Sequence, residues 1–250
     1  MLKEDALVRA LAAAGLSAPV RWDEVTASTS ATALAMAVEG TPEWTLVAAG
    51  HQTAGRGRHG RTWLDRPGSA LLFSVVLRPV WEPAAVGLVS LAAGAAMAEA
   101  ASEASGVEVR CKWPNDLLAG ASKVGGILGE SQVSADRIAH VVVGVGVNLE
   151  APEGIPAAGG IGPVPEEALL SAFLLRFRSL VEGPSGAIVD RWRAVSATLG
   201  QHVEATTIGG GTDRGVAVDV DGTGALLVRT DAGQVRVAFG EIEQLDVGRG

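Results

Sequence analysis

Apolar residues recur at helical spacing near the start of the chain, at Leu7, Ala10, Leu11 and Ala14, and Gly15 follows as a stop, so residues 4–14 are predicted to form a helix. A strand predicted over 20–25 leads into Ser28-Thr29-Ser30, three hydroxyls suited to the N-terminus of a helix over 31–38. Strand-like runs follow at 44–49 and 70–77, and between them lie residues 50–69, dense in Gly and Arg. A loop of that length inside a domain is usually functional or mobile. Next come a long helix over 83–105, a strand over 107–111 with a hairpin partner at 116–119, and strands over 125–130 and 138–147. The last is almost continuously β-branched, broken only by glycines, as expected of a central strand buried on both faces. Residues 150–165, rich in Gly, Ala and Pro, are predicted to be a flexible connection, and helices are predicted over 166–181 and 185–197.

From Gln201 the texture changes to short β runs at 202–207, 216–220, 225–229 and 235–239. Turn signals at Gly209-Gly210-Gly211, Asp221-Gly222 and Asp231-Ala232-Gly233 separate them. They predict a small antiparallel barrel of about 45 residues, near the lower limit for independent folding and therefore leaning on the larger domain. The expected fold class is α+β, with a mixed central sheet flanked by helices over residues 1–199 and the small β domain over 200–250.

Composition narrows the function. A chain of 250 residues that is 48% hydrophobic and 19% charged can bury a sizeable core. Its formal charge of -8 argues against a surface built to grip nucleic acid or anionic lipid. Cys111 is alone, which excludes an internal disulfide and fits a reducing cytoplasm. Residues 1–14 lack a signal-peptide pattern, and the longest apolar stretch, 86–101, contains Ser90 and Glu99 and reads as a buried helix. Only three lysines occur, Lys3, Lys112 and Lys123, so the two interior ones stand out in a chain that otherwise uses arginine.

Four segments carry candidate chemistry. Gly55, Gly57 and Gly60 match G-x-G-x-x-G, but a dinucleotide fingerprint needs a helix starting within the glycines, whereas here Asp65-Arg66-Pro67-Gly68 and a strand come next. Arg56, Arg58 and Arg61 instead suit a loop curled around a phosphate, a carboxylate or both; a solvated basic loop is the plainer alternative. In Lys112-Trp113-Pro114-Asn115-Asp116, the proline fixes a bend that presents a point charge, an amide and a carboxylate. Such groups can meet a phosphate, an adenine edge, and a magnesium ion or proton, or simply form a polar turn around a core tryptophan. Lys123 precedes Gly125 and Gly126, where backbone can approach a ligand, without the order of a P-loop. Gly144-Val145-Gly146-Val147-Asn148 reads either as a strand delivering an asparagine to a ligand or as a bulged core strand. The four histidines form no metal-ligand pattern, and His140 reads as a strand residue.

Together with Ser28-Thr29 and Gln52, these segments in this order resemble the biotin protein ligase family over about residues 20–245. The resemblance implies a class II synthetase-like catalytic domain, an SH3-like C-terminal domain and a two-step reaction. Biotin and ATP give biotinyl-5'-adenylate, which acylates one lysine of the biotin carboxyl carrier domain of an acyl-CoA carboxylase. Implied biotin contacts are Ser28, Thr29, Gln52, Arg56, Arg58, Lys123, Gly125 and Gly126. Implied nucleotide contacts are Arg58, Arg61, Trp63, Asn115 and Asn148, with Trp63 covering the adenylate. Catalytic roles fall to Lys123, Arg58, Lys112 and Asp116, the last supporting Mg²⁺ or steering the amine. ATP, biotin and Mg²⁺ are the implied cofactors, and no nucleic acid or membrane partner is expected. Residues 50–69 are expected to order over the adenylate and keep water from it.

Two departures matter. Many members read Ser-Thr-Asn where this chain has Ser28-Thr29-Ser30, so Ser30 is read as a helix cap. About twenty residues precede the resemblance, too few for the DNA-binding helices that some relatives carry, and a ligase without repressor activity is expected. The nearest rival is a lipoate or octanoate acyltransferase on a related fold. A noncatalytic module gripping RNA or an acidic partner through the arginine loop comes next, and the acidic net charge weighs against it.

Overall fold

The computed structural model describes residues 2–134, 137–207, 211–238 and 240–245. Helix α1 (Glu4–Ala13) ends where Gly15 takes a left-handed φ of 70°. Strand β1 (Val20–Asp23), helix α2 (Thr29–Val38) and strand β2 (Leu46–Ala49) follow. The arginine-glycine segment holds two short strands, β3 (Gly55–Arg56) and β4 (Thr62–Trp63), around a single turn at Arg58–Gly60. Then come β5 (Ala70–Leu77), α3 (Gly87–Ser105), β6 (Val109–Lys112), β7 (Asp116–Ala119), β8 (Ser122–Ser134) and β9 (Arg137–Asn148). Helices α4 (Glu166–Val181) and α5 (Ser185–Ala194) precede β10 (His202–Thr207), β11 (Thr212–Val220), β12 (Leu226–Thr230), β13 (Gly233–Val237) and β14 (Gly240–Gln244).

The main sheet runs β1-β2-β5-β9-β8-β7-β6, with β1 and β2 parallel and the other neighbours antiparallel, which is the mixed sheet expected. Strand side chains alternate between faces, and β9 shows why the site lies where it does. Val141, Val143, Val145 and Val147 enter the large core together with α1, α3, α4 and α5. On the opposite face Val142 packs with Ala33 and Ala37 of α2, Val47 and Val76. Further along that second face the strand switches to Gly144, set against Ser30 in the first turn of α2, and Gly146, set against the Trp63 ring. The β8–β9 register is unbroken at both glycines, so they are not bulge residues.

Helix α3 is buried nearly all round, which suits its Ala- and Gly-rich sequence. By length and composition Pro83–Ser105 is the one described helical stretch apolar enough to cross a membrane, and 67% of that window is buried inside the protein. Burial, and secondarily Arg78, lowers the pKa of His140, keeping this strand imidazole neutral.

Several elements depart from expectation for local reasons. Helix α5 stops at Ala194, not 197, because the chain peels off to pair with β6: Cys111 N donates to Val195 O and Ala197 N to Cys111 O, both at 2.8 Å. The strand expected from Trp44 starts at Leu46, since Trp44 adopts a positive φ of 66°. The first turn of the long helix is a separate 3-10 turn at Pro83–Ala85. Strands β8 and β9 extend beyond 125–130 and 138–147 as one long hairpin.

The C-terminal strands form a five-stranded antiparallel sheet, ordered β13-β12-β11-β10-β14, with no pairing among the described residues that closes it into a ring. Strand β14 has no counterpart in the sequence-based expectation. The turn signal at Gly209-Gly210 and Phe239, the expected end of a strand, lie outside the described residues, as do residues 246–250. Val203, Ala205, Ala217, Leu226 and Val228 of this sheet belong to the same buried cluster as the main core.

Candidate active site

Beyond β1 the chain continues to pair. Thr53 N and Ala54 N donate to the carbonyls of Thr26 and Ala27, both at 2.9 Å, which sets Gln52 beside the first turn of α2. Ser28 caps that helix, its hydroxyl accepting from Ala31 N at 3.4 Å. Gln52 Oε1 accepts from Thr29 N at 2.8 Å and from Thr29 Oγ1 at 3.2 Å. Ser74, in the middle of the otherwise apolar β5, donates to Thr29 Oγ1 at 2.9 Å and lies 3.1 Å from Ser30 Oγ. Ser30 is therefore a buried member of a hydroxyl network, not the cap. Gly144 faces Ser74 across the β5–β9 pair, and a Cβ there would overlap Ser30 Oγ.

The loop expected over 50–69 is ordered by short-range pairing. Gly55 pairs with Trp63 and Arg56 with Thr62, and His59 takes a positive φ of 53° in the turn between. At the loop base, the inaccessible side chain of Asp65 meets His51 Nδ1 at 2.8 Å and accepts weakly from Gln52 N at 3.4 Å. The Trp63 indole lies over the registered pair Gly126 and Gly146: a Cβ on Gly146 would come within 2.8 Å of the ring, and one on Gly126 within 3.5 Å. Those glycines thus form a flat seat for an aromatic ring.

Cations surround the opening in two states. Arg56 pairs with Glu130 and Arg61 with Glu241 of β14, each at 2.5 Å. Lys123 pairs with Asp116 at 2.5 Å. Arg58 instead donates to neutral oxygens, Gly240 O at 3.2 Å and Asn115 Oδ1 at 3.5 Å. Burial lowers its pKa, and the nearby charges of Glu241 and Asp116 act the other way; an arginine remains a cation there. Lys112 makes no ion pair or hydrogen bond through its ammonium group among the described residues.

These groups enclose a cavity of about 270 Å³. Thr29, Gln52, Arg56, Arg58, Arg61 and Trp63 line it from one side. Lys112, Asn115, Asp116, Lys123 and Gly126 line it from the other. Three expected residues do not. Ser28 is the cap; Gly125 is packed against the Gly146 carbonyl and Leu117; Asn148 donates from Nδ2 to Gly159 O at 3.0 Å. Sequence reasoning missed Ser74, Glu241 and Ile242. A lone serine within the apolar run Ala70–Leu77 is a legible sign of a buried polar partner, whereas nothing local marks Glu241 as a wall of this cavity.

No three His, Cys, Asp or Glu side chains gather to hold a metal among the described residues, and Asp116 is already engaged by Lys123. The donor set does not fit a resident magnesium ion.

Comparison with known proteins agrees with this geometry. Residues 22–148 match the Biotin/lipoate A/B protein ligase family, and residues 198–244 match the Biotin protein ligase C terminal domain. A biotin acetyl-CoA-carboxylase ligase of Paracoccus denitrificans is 35% identical over 238 residues, covering 87% of this chain and 97% of that protein. The bifunctional ligase/repressor BirA of Bacillus subtilis (strain 168) is 32% identical over 242 residues, covering 89% of this chain and 73% of that protein. A solved biotin protein ligase from Aquifex aeolicus, in complex with biotin and ATP, superposes with a TM-score of 0.73 at 25% identity over 90% of this chain and 97% of that one. The chain belongs to the biotin/lipoate A/B protein ligase family, and its C-terminal match and its relatives place it among the biotin protein ligases.

Proposed function

We propose that this chain joins biotin to ATP as biotinyl-5'-adenylate and then transfers the biotinyl group to one lysine of the biotin carboxyl carrier domain of an acyl-CoA carboxylase. The observation that carries the reading is the single cavity in which a neutral, hydrogen-bonding inner end, at Thr29 and Gln52, opens onto Arg58, Lys112 and Lys123. A ligand with a polar uncharged ring at one end and a carboxylate at the other matches that gradient.

In the first step a carboxylate oxygen of biotin attacks the α-phosphorus of ATP, the bond to the β-phosphate breaks, and pyrophosphate leaves. Two anions must be brought together, so cations that hold both in place supply much of the acceleration. Among the described residues Arg58 and Lys112 form no ion pair with a carboxylate, and they are free to take that role. Lys123 joins them when an incoming anion replaces or shares Asp116. Magnesium arrives with the nucleotide as MgATP.

In the second step the acceptor amine attacks the acyl carbon, AMP leaves, and the amine loses a proton. Asp116, at the cavity wall, is positioned to orient that amine once Lys123 engages the ligand. Arg56 and Arg61 hold the hairpin whose Trp63 covers the site, and Asn115 faces the nucleotide side. Ser28, Gly125 and Asn148 act indirectly, by shaping the elements that carry the lining. The domain division at about residue 199 and a cytoplasmic setting, which the lone buried Cys111 suits, belong to the same proposal.

An avidin blot tests the reading. A purified carrier domain incubated with the protein, biotin, ATP and Mg²⁺ is expected to become labelled, with pyrophosphate released only when biotin is present. Labelling with lipoate in place of biotin, and none with biotin, would overturn it.

A further inference from the structure

The arginine-glycine hairpin is held to the molecule unequally on its two sides. On the outgoing side the backbone is zipped to the main domain: Thr26 N donates to His51 O at 3.0 Å, and Thr53 N and Ala54 N donate to the carbonyls of Thr26 and Ala27. On the returning side the backbone of Leu64 and Asp65, between β4 and Arg66, makes no hydrogen bond among the described residues. The side chain of Asp65 ties that arm down instead. It meets His51 Nδ1 at 2.8 Å, 14 residues away in sequence, so this contact closes the loop that carries Arg56, Arg58, Arg61 and Trp63.

An ionised carboxylate only accepts, so the His51 nitrogen that meets it carries a proton. The oxygen that takes His51 also takes Gln52 N, at 3.4 Å. The other oxygen, Oδ1, is shut off from solvent and meets no donor among the described residues, and the side chain as a whole is 0% exposed. A buried acceptor left unpaired is costly, so a carboxylate is a poor choice here for stability alone. What it supplies is a charge-assisted bond, stronger and better directed than a neutral one, two residues from Trp63.

We infer that His51 and Asp65 form a clasp on the returning arm of the hairpin, and that both are positioning residues for retention of the activated intermediate. Neither lines the cavity. Their effect reaches the ligand through Trp63, whose indole overlies Gly126 and Gly146, and through Arg58 in the turn of the same hairpin. The inner end at Thr29 and Gln52 stays zipped by the backbone pairs to Thr26 and Ala27 when the clasp is open. The clasp therefore governs how long an adenylate stays and leaves the affinity for biotin alone nearly unchanged. It rests on the ligase reading above and adds to it the device that keeps the loop down.

Two measurements test the clasp: the release rate of labelled biotinyl-adenylate formed in place from biotin and MgATP, and calorimetric titration with biotin alone. Asp65→Ala and His51→Ala are each expected to release adenylate about tenfold faster than the parent, while the Kd for biotin moves less than about threefold. His51→Asn, which sets an amide N–H near the place of Nδ1, is expected to bring release back to within about threefold of the parent. The two alanine changes combined are expected to do no more than either alone, as for partners in one bond. Parent-like release in Asp65→Ala overturns the clasp, and so does full additivity in the double variant. A loss of biotin affinity as large as the loss of retention overturns it too, since general damage to the fold would weaken both. If Asp65→Ala does not fold, His51→Ala set against His51→Asn decides the matter in the same way. A parent protein that makes no adenylate from biotin and MgATP would instead sink the ligase reading, before any variant is measured.

Discussion

The inner and outer ends of the cavity are built on opposite principles. At the inner end Ser30, Ser74, Thr29 and Gln52 are buried and hydrogen-bonded to one another, so their geometry is set before any ligand arrives. At the outer end Arg56, Arg61 and Lys123 are tied to carboxylates that remain partly exposed. Exposed ion pairs are weak and exchangeable, whereas an unsatisfied buried hydroxyl or amide is costly. The inner end is thus suited to selecting a ligand by shape and hydrogen-bond pattern, and the outer end to releasing its own carboxylates in favour of incoming anions.

The sharpest way to break the comparison is at the cation between the two ends. Lys123→Gln keeps a polar side chain one atom shorter but removes the charge, and biotin-dependent pyrophosphate release is expected to fall on the order of 10² to 10³-fold with little change in melting temperature. An unchanged rate would show that Lys123 serves only as the partner of Asp116. Gly146→Val tests the aromatic seat. Its side chain displaces the Trp63 indole, and activity is expected to drop about tenfold or more through loss of the covering hairpin. Retention of the parent's tryptophan fluorescence would argue that the indole had not moved.

A smaller effect is expected at Arg58, whose present partners are neutral. Arg58→Gly should still form adenylate but release it about tenfold faster, seen as biotin on unrelated lysines in a mixture of proteins. An adenylate dissociation rate equal to the parent's would refute this. The smallest effect lies far from the cavity, in the small sheet. Burial raises the Asp221 carboxyl, but hydrogen bonds from Thr223, Arg236 and the backbone outweigh it and hold the group at about 2. A depressed carboxyl contributes stability that is present above its unfolded value, near 4, and is lost as pH falls through its folded one. Melting temperature should therefore fall between pH 4 and pH 2 less steeply in Asp221→Asn than in the parent.

The periodic elements were legible because burial imposes their pattern. The continuous β-branched run of β9 and the Ala- and Gly-rich α3 follow directly from what they touch. The lining was legible where a residue type is out of place, as with Lys112 and Lys123 in an arginine-using chain. What escaped was set by long-range pairing. Asn148 looked like a ligand contact at a strand end, yet Gly159 returns from the connecting segment to take its amide. Glu241 comes from a strand that only tertiary packing brings to Arg61, across 180 residues of sequence. Ser30 looked like a cap because capping is a local rule, while its partner Ser74 lies 44 residues further along the chain.

Trp113 belongs to both halves of the molecule. Its backbone N–H donates to Thr198 Oγ1 at 2.9 Å, its indole N–H to Gly224 O at 3.1 Å, and the bend it begins presents Asn115 and Asp116 to the cavity. Melting the small sheet strands that indole and removes Glu241 and Ile242 from the cavity wall at the same moment. Activity is therefore expected to be lost no later than the small sheet on heating: a warm state in which that sheet has melted should carry no chemistry.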